Sequence, residues 1–245
     1  MKSNYFNVTV KPDMLGSVGV TTFGSGDVMF DWTSFEVPRG ACKLIGVTTL
    51  VKGKNGARQE FASDIYFAKS DADKTAPTTL GTVNEGAAAS IVYFNNIIGA
   101  MNIPVTDFRD GLDYAAVSYT GSSPATTGGM ILEGFPNSGN TVGTDTLYLA
   151  VLALGAFDFN TGSLLNQNGN QAATSGTTTL TTDGTHATKV FSKGDIILAQ
   201  DDAAIGTVVS TSATSVVVDE VRAALADDDE LMNKNPITYI LHFQK

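Results

Sequence analysis

Four β-rich runs near the end of the chain decide the fold. Short polar turns separate the first three, which predicts a small β-module. In the fourth, every second residue from Ile237 to Phe243 is apolar, as a half-buried strand requires. The runs are Lys189-Val-Phe-Ser-Lys-Gly-Asp-Ile-Ile-Leu-Ala-Gln200, Ile205-Gly-Thr-Val-Val-Ser210, Ser215-Val-Val-Val-Asp-Glu220 and Pro236-Ile-Thr-Tyr-Ile-Leu-His-Phe-Gln-Lys245.

The same alternation occurs near the start of the chain, at Phe6, Val8 and Val10. Two strands with matching half-buried patterns are expected in one sandwich, so the small module is an insertion before the last strand. The ends of a domain often lie close together, which agrees with this arrangement.

Further strand patterns lie between these ends. The run Leu147–Phe157 is apolar on both faces and predicts a central strand. An Asn-Gly turn after Lys43–Val51 predicts a hairpin with the strand 59–68. Residues 87–101 are the most helix-like stretch, with a strand as the alternative. The pattern of residues 221–231 predicts one short helix or turn.

The fold class predicted is all-β: a jelly-roll-like β-sandwich with a small β-barrel-like module inserted before the last strand. Residues 1–165 form the main sandwich, which strand 236–245 completes. The Asn/Gly/Thr-rich residues 166–188 are expected to be a flexible linker, and 189–235 the module.

Composition limits the function. Of the 245 residues, 16% are charged, against about 25% in ordinary globular proteins. A polar, weakly charged surface suits a protein that lies against other proteins, although a loop-rich β-protein with Thr-rich strands has the same composition. The net charge of −10 argues against direct nucleic-acid binding. The lone cysteine, Cys42, is expected to be a buried hydrophobe.

The sequence predicts neither export nor membrane insertion. The segment that follows Met1 lacks the apolar core of a signal peptide. The longest apolar run, Leu147–Phe157, is too short to span a bilayer.

No catalytic, cofactor or metal site is predicted. His186 lies in a Thr/Gly loop and His242 on a strand, and neither has a recognisable nucleophile nearby in sequence. The acidic run Asp227–Glu230 lacks calcium-loop spacing and is expected to be a solvated charge run.

Aromatic side chains are expected mostly in the core. The alternating context of Trp32 predicts burial. Four aromatics flank the polar loops and are candidate interface anchors: Phe108, Tyr114, Tyr119 and Phe135.

Two stretches resemble parts of tailed-bacteriophage virion structural proteins. Residues Phe35–Thr48 with Ile65–Ser70 look like the sandwich half of marine-phage structural proteins. Residues Phe191–Ala199 with Ile205–Ser210 are similar to the small β-barrels that phage head and tail proteins carry.

The resemblance is strongest to capsid decoration (cement) proteins. It implies a non-enzymatic subunit without cofactor that binds the major capsid protein, bridges capsid subunits and forms a homo-oligomer, with a trimer favoured. It would be made in the host cytoplasm and lie on the capsid surface of the virion, with no membrane contact. The alternatives are a tail- or fibre-associated carbohydrate-binding receptor protein and a β-sandwich hydrolase, which the shortage of His and Cys disfavours.

Overall fold

The computed structural model describes residues 4–15, 21–53, 57–87, 94–109, 115–121, 129–136, 138–139, 143–159 and 167–245. The regular secondary structure in these ranges is almost wholly antiparallel β-strand, which confirms the predicted all-β class. No helix within them is long and apolar enough to cross a membrane.

Sixteen strands are present in the described ranges, together with a 3-10 turn (Val105–Asp107) and one α-helical turn, α1 (Ala187–Val190). They are β1 (Tyr5–Val10), β2 (Thr22–Phe23), β3 (Val28–Pro38), β4 (Cys42–Lys52), β5 (Ser63–Lys69), β6 (Ile97–Ile103), β7 (Ala115–Gly121), β8 (Met130–Leu132), β9 (Thr144–Ala153), β10 (Phe157–Asp158), β11 (Thr178–Thr181), β12 (Ile196–Ala199), β13 (Ala204–Ser212), β14 (Ser215–Val218), β15 (Leu231–Asn233) and β16 (Ile237–Gln244).

The front sheet of the sandwich has the order β1-β16-β4-β7, and β8 pairs with the beginning of β4. The last strand therefore lies in the interior of this sheet, where Leu241 is paired with Val8 on one side and Val47 on the other. Every second residue of β16 is buried, so its alternating apolar side chains point into the core.

The back sheet has the order β3-β9-β5-β6. Strand β9 lies in its interior and is buried on both faces, as the apolar run from Leu147 predicts. The outer face of this sheet is covered by the segment 72–87, where Leu80 packs against Val28 and Ala150. This third layer explains why β9 is apolar on its outward side as well.

Aromatic rings join the two sheets. Phe243 of β16 stacks on Phe6 with ring centroids 5.2 Å apart, and it lies 6.5 Å from Phe35 of β3. Phe35 in turn meets Phe67 edge to face at 6.5 Å. Such ring pairs add directional contacts to the burial of apolar area.

Two local predictions are wrong. Strands β4 and β5 do not form a hairpin, because β4 belongs to the front sheet and β5 pairs with β6 and β9 in the back sheet. The chain between them crosses from one sheet to the other. Residues 97–103 form β6, so the strand alternative holds there; residues 88–93 lie outside the described part of the chain.

The module has its own five-stranded sheet, in the order β11-β14-β13-β12-β15. Its core consists mainly of β-branched and leucine side chains around Phe191. Residues 221–230 contain turns and isolated bridges, and no helix is found in this described segment.

The expected linker, 166–188, is instead part of the module from residue 167 onward. Strand β11 pairs with β14, and Leu180 is completely buried in the module core. Gln171 and Thr174 form bridges to Leu225 and Val221. The Asn/Gly/Thr composition misled the prediction, because Leu180 is the one apolar residue of β11 and a strand this short needs only one buried side chain.

A polar contact fixes the module on the sandwich. Lys52, the last residue of β4, forms an ion pair with Asp195, which precedes β12. The Asp195 carboxylate also accepts hydrogen bonds from Asn233 Nδ2 at 2.8 Å and from the Ser192 amide at 2.7 Å. Burial lowers the pKa of Lys52 from its ordinary value, with the bond to Asp195 opposing this effect.

Candidate interaction surface

The outer face of the front sheet is a regular surface built on five paired strands. Cross-strand partners share a face, so the register places its outward side chains in rows. Successive rows are Tyr5, Gln244, Lys43 and Ile131; Asn7, His242, Gly46 and Gly121; Thr9, Ile240, Thr48 and Tyr119; Thr238, Leu50 and Val117; and Lys52 with Ala115.

Large apolar side chains project from this outer face. Ile131 is 68% exposed, Tyr5 60% and Tyr119 50%. Among the paired outward positions that the structure describes, the charged residues are Lys43 and Lys52. The face is therefore uncharged to weakly positive on a chain whose net charge is −10.

A hydrogen-bonded cluster occupies the middle of the outer face. Thr48 Oγ1 lies 2.8 Å from His242 Nε2, and His242 Nδ1 lies 2.9 Å from Asn7 Oδ1. Because an amide oxygen only accepts, Nδ1–H donates to Asn7 and Nε2 accepts from the Thr48 hydroxyl. Burial lowers the pKa of His242, so the ring is neutral at pH 7.

Tyr119 completes the cluster. Its ring centroid lies 5.7 Å from that of His242. The ring lies across Gly46 of β4, where an added Cβ would come 2.5 Å from Tyr119 Oη. A side chain at position 46 would displace the ring, so this glycine allows Tyr119 to lie on the sheet.

The order Thr48, His242, Asn7 is that of a nucleophile, a base and an orienting group. Acyl transfer also needs hydrogen-bond donors for an oxyanion. Thr48 is paired with Ile240 on one side and with Tyr119 on the other, so its strand is engaged in both ladders. The arrangement orders a surface and supplies no oxyanion donors from β4.

The four aromatic residues predicted as anchors are not brought together. Tyr119 lies on the outer face, and Phe135 is half-buried after β8. Phe108 is only 7% exposed and packs in the core near Phe61, at 6.2 Å, so its ring has no free face for a partner. Tyr114 lies outside the described residues.

Sequence reasoning missed Tyr5, Ile131 and the partners of His242. Strand β8 is too short to show an alternating pattern that would mark Ile131 as exposed. Asn7 and Thr48 are 41 residues apart in sequence. Only the pairing of β1, β16 and β4 brings the cluster together. The signal in the sequence is Ile131 itself, a hydrophobic residue on a short edge strand opposite Lys43. Recognising it requires the register of β8 against β4.

Three other predicted features have different outcomes. Cys42 is buried, as expected, whereas Trp32 is half-buried and not enclosed in the core. The acidic run is solvated only in part, since Asp227 and Asp228 are exposed but Glu230 is buried. Among the described residues, no group of three or more His, Cys, Asp or Glu side chains is placed to hold a metal ion.

Comparisons with known proteins give no family. No family model and no curated protein matches the chain. A chain in the structure of infectious bursal disease virus Gt strain is similar at 9% identity and a TM-score of 0.18, over 99% of this chain and 42% of that one. Dimeric latent PorU from Porphyromonas gingivalis is 9% identical with a TM-score of 0.14, over 98% of this chain and 20% of its own.

The chain thus spans less than half the length of either solved chain. At these TM-scores, neither likeness bears on function.

Proposed function

We propose that the chain is a non-enzymatic structural subunit of a tailed-phage virion, which decorates the capsid and stabilises the head by bridging capsid subunits. The observation that supports this most is the composition of the outer face of the front sheet. This face is regular and weakly charged, and it exposes the side chains of Tyr5, Tyr119 and Ile131.

The chemistry of the outer face favours contact with protein. Tyrosine is enriched at interface hot spots, because it adds large apolar area with little side-chain entropy to lose. Hydroxyls and amides are cheaper to desolvate than ions. Lys43 suits a partner that is neutral or acidic, whereas Lys52 is already paired with Asp195. The acidity of the whole chain disfavours contact with the packaged nucleic acid.

The size of the outer face also agrees with decoration. Four strands lie about 4.8 Å apart, and each has about seven residues that rise about 3.3 Å apiece along the strand. The flat area of the sheet is therefore about 450 Å². A stable complex buries about 800 Å² on each partner. A single contact is therefore weak, and firm attachment needs several copies, which a homo-oligomer on a symmetric capsid supplies.

The inserted module provides a second surface for bridging. Its ion pair to Lys52 fixes it relative to the front sheet, and a hydrogen bond from Asn233 orients the Asp195 carboxylate for that pair. Two surfaces held at a fixed angle can contact two capsid subunits at once. A trimer of the chain, with the major capsid protein as partner, is the assembly that we propose.

Binding to emptied capsids of the phage that carries this chain tests the proposal. We expect saturable, stoichiometric binding by sedimentation, and we expect Ile131→Asp to weaken it about tenfold or more, because a charge would be desolvated at an anchor position. Leu154→Asp is the matched control, since Leu154 is a 38% exposed aliphatic residue that follows β9 in the back sheet.

Failure of the folded chain to bind the capsids would overturn the proposal. Equal weakening by Ile131→Asp and Leu154→Asp would show that the outer face is not the contact surface.

A further inference from the structure

A groove of about 430 Å³ follows the edge strand β3, away from the outer face of the front sheet. Residues Asp31, Trp32, Thr33 and Ser34 line it from β3, and Lys11 and Asp13 from the segment after β1. Its volume lies in the range of small-molecule sites, which is about 300 to 1,000 Å³.

Irregular pairing of β3 forms the groove. Phe30 is opposite Val151 and Thr33 is opposite Leu149, so Asp31 and Trp32 together face a single residue of β9. A bulge of this kind re-aims side chains and is common beside binding sites. Here it turns an aromatic ring and a carboxylate out of the ladder and next to each other.

Both side chains are held in place by the third layer. Trp32 Nε1–H donates to the Thr78 carbonyl at 2.9 Å, and Asp31 Oδ1 accepts from the Leu80 amide at 2.9 Å. These bonds fix the edge of the indole and one carboxylate oxygen. The Trp32 side chain remains half-buried, and Trp32 is among the residues that line the groove.

The other wall is also fixed. Asp13 forms an ion pair with Lys234 at 2.8 Å and accepts a hydrogen bond from Asn235 Nδ2 at 2.9 Å. Asn235 Nδ2 also donates to the Pro12 carbonyl at 2.8 Å. A site whose walls are already ordered loses little freedom when a ligand binds.

We propose that this groove binds a neutral saccharide. A sugar ring has an apolar C–H face that can pack on the Trp32 indole and hydroxyls at its rim that can donate to the Asp31 carboxylate. The hydroxyls of Thr33 and Ser34 extend the polar side. The charges at the groove balance, since Lys11 and Lys234 are matched by Asp13 and Asp31. A balanced groove in a chain of net charge −10 favours a neutral sugar over anionic sugars and phosphates.

A peptide fits this place less well. An extended peptide binds an edge strand by continuing its ladder of hydrogen bonds. The irregular pairing at Phe30–Thr33 bends β3 and interrupts such a ladder, as bulges on edge strands do. The inference goes beyond the proposed role on the capsid, and it does not depend on that role.

The chain carries its own reporter for the test. Trp32 is the only tryptophan, so emission excited in the indole band reports this groove alone. Titration with maltotriose, mannotriose and chitotriose should give a saturable change in emission for at least one of them. Sialyllactose, an anionic comparator, should give none.

Variants separate binding in the groove from binding elsewhere. Asp31→Asn keeps an oxygen for the Leu80 amide but removes a charged acceptor, and we expect about tenfold weaker binding or more. Asp73→Asn, an exposed aspartate outside the groove, should bind as the unchanged chain does. Ser34→Phe, at an exposed position, should block the groove without disturbing the core.

Binding of sialyllactose but no neutral trisaccharide, or no saturable change with any of the three, would overturn the proposal. So would unchanged affinity in Ser34→Phe, which remains informative if Asp31→Asn does not fold. Capsid binding should be the same in Ser34→Phe and the unchanged chain, so the two proposals fail separately.

Discussion

The sandwich and the inserted module bury their apolar residues in different ways. The sandwich core lies between two sheets and is spanned by aromatic rings such as Phe35, Phe67 and Phe243. The module has one sheet, and Phe191 is the only aromatic side chain in its core cluster. The two clusters share no residue. A second sheet provides a space wide enough for rings, whereas a single sheet covered by loops needs smaller, β-branched side chains.

This comparison implies that the two cores unfold as separate units joined by polar contacts. Cooperativity between domains depends on the apolar area they share. The described contacts at the junction include the Lys52–Asp195 pair, the hydrogen bond from the Met14 amide to the Lys234 carbonyl, and those from Asn235 Nδ2 to the Lys11 and Pro12 carbonyls.

The largest expected effect comes from matched leucine truncations in the two cores. Leu241 and Leu180 are both completely buried strand residues. Leu241→Ala and Leu180→Ala should each lower the free energy of unfolding of their own unit by about 2 to 5 kcal/mol. In urea, Trp32 fluorescence reports the sandwich and circular dichroism reports both units. Leu241→Ala should shift the fluorescence transition, and Leu180→Ala should shift only the part seen by circular dichroism.

Thr179→Ala is the control for Leu180, since Thr179 is the exposed neighbour on the same strand. It should change stability by about 0.5 kcal/mol or less. Equal shifts of both signals in Leu180→Ala would show that the two cores unfold as one.

A smaller effect is expected at the junction. A double-mutant cycle with Lys52→Met and Asp195→Asn should give a coupling energy of about 1 to 2 kcal/mol, because the two side chains are only 27% and 12% exposed. The same cycle on the exposed Arg222–Glu220 pair should give about 0.5 kcal/mol or less. Equal couplings for the two pairs would mean that the junction contributes no more than a surface ion pair.

The smallest effect concerns pH and the sandwich alone. Burial lowers the pKa of His242 in the folded chain, so between that value and the unfolded value of 6.5 the unfolded chain binds more protons. Stability therefore rises with pH through this window. The loss of stability caused by protonation of His242 is fully present below the pKa of the folded chain. The urea midpoint of the unchanged chain should fall more than that of His242→Gln between about pH 7.5 and pH 5. His186 is present in both proteins and cancels in the difference; parallel pH profiles would contradict the expectation.

Alternation in single strands was sufficient to predict much of the fold. The patterns at Phe6–Val10 and Ile237–Phe243 predicted two half-buried strands, and the run from Leu147 predicted an interior one. Pairing between distant strands leaves no local trace, so the Asn-Gly signal after Val51 predicted a hairpin where the chain changes sheet. In the tract 167–188, composition outweighed the two buried apolar residues, Leu180 and Ala187.

The interaction surface was less predictable for the same reason. Tyr119 stood out because it flanks a polar loop, but nothing in the sequence marks Gly46 as the residue beneath its ring. The bulge that exposes Trp32 depends on the register of β3 against β9, and the alternation at Val28, Phe30 and Trp32 predicted burial. The position of such a side chain can be predicted only after the register of its strand is known.

The interior position of β16 orders the events of folding. The strands of the module lie between residues 178 and 233, so its core can form before the front sheet closes. Strand β1 must wait for a partner some 230 residues away, with β4 exposed on one edge in the meantime. Pairing at such separation is slow. Chaperone demand should therefore fall on the open sandwich, and folding halted before the front sheet closes would leave a folded module attached to an open sheet.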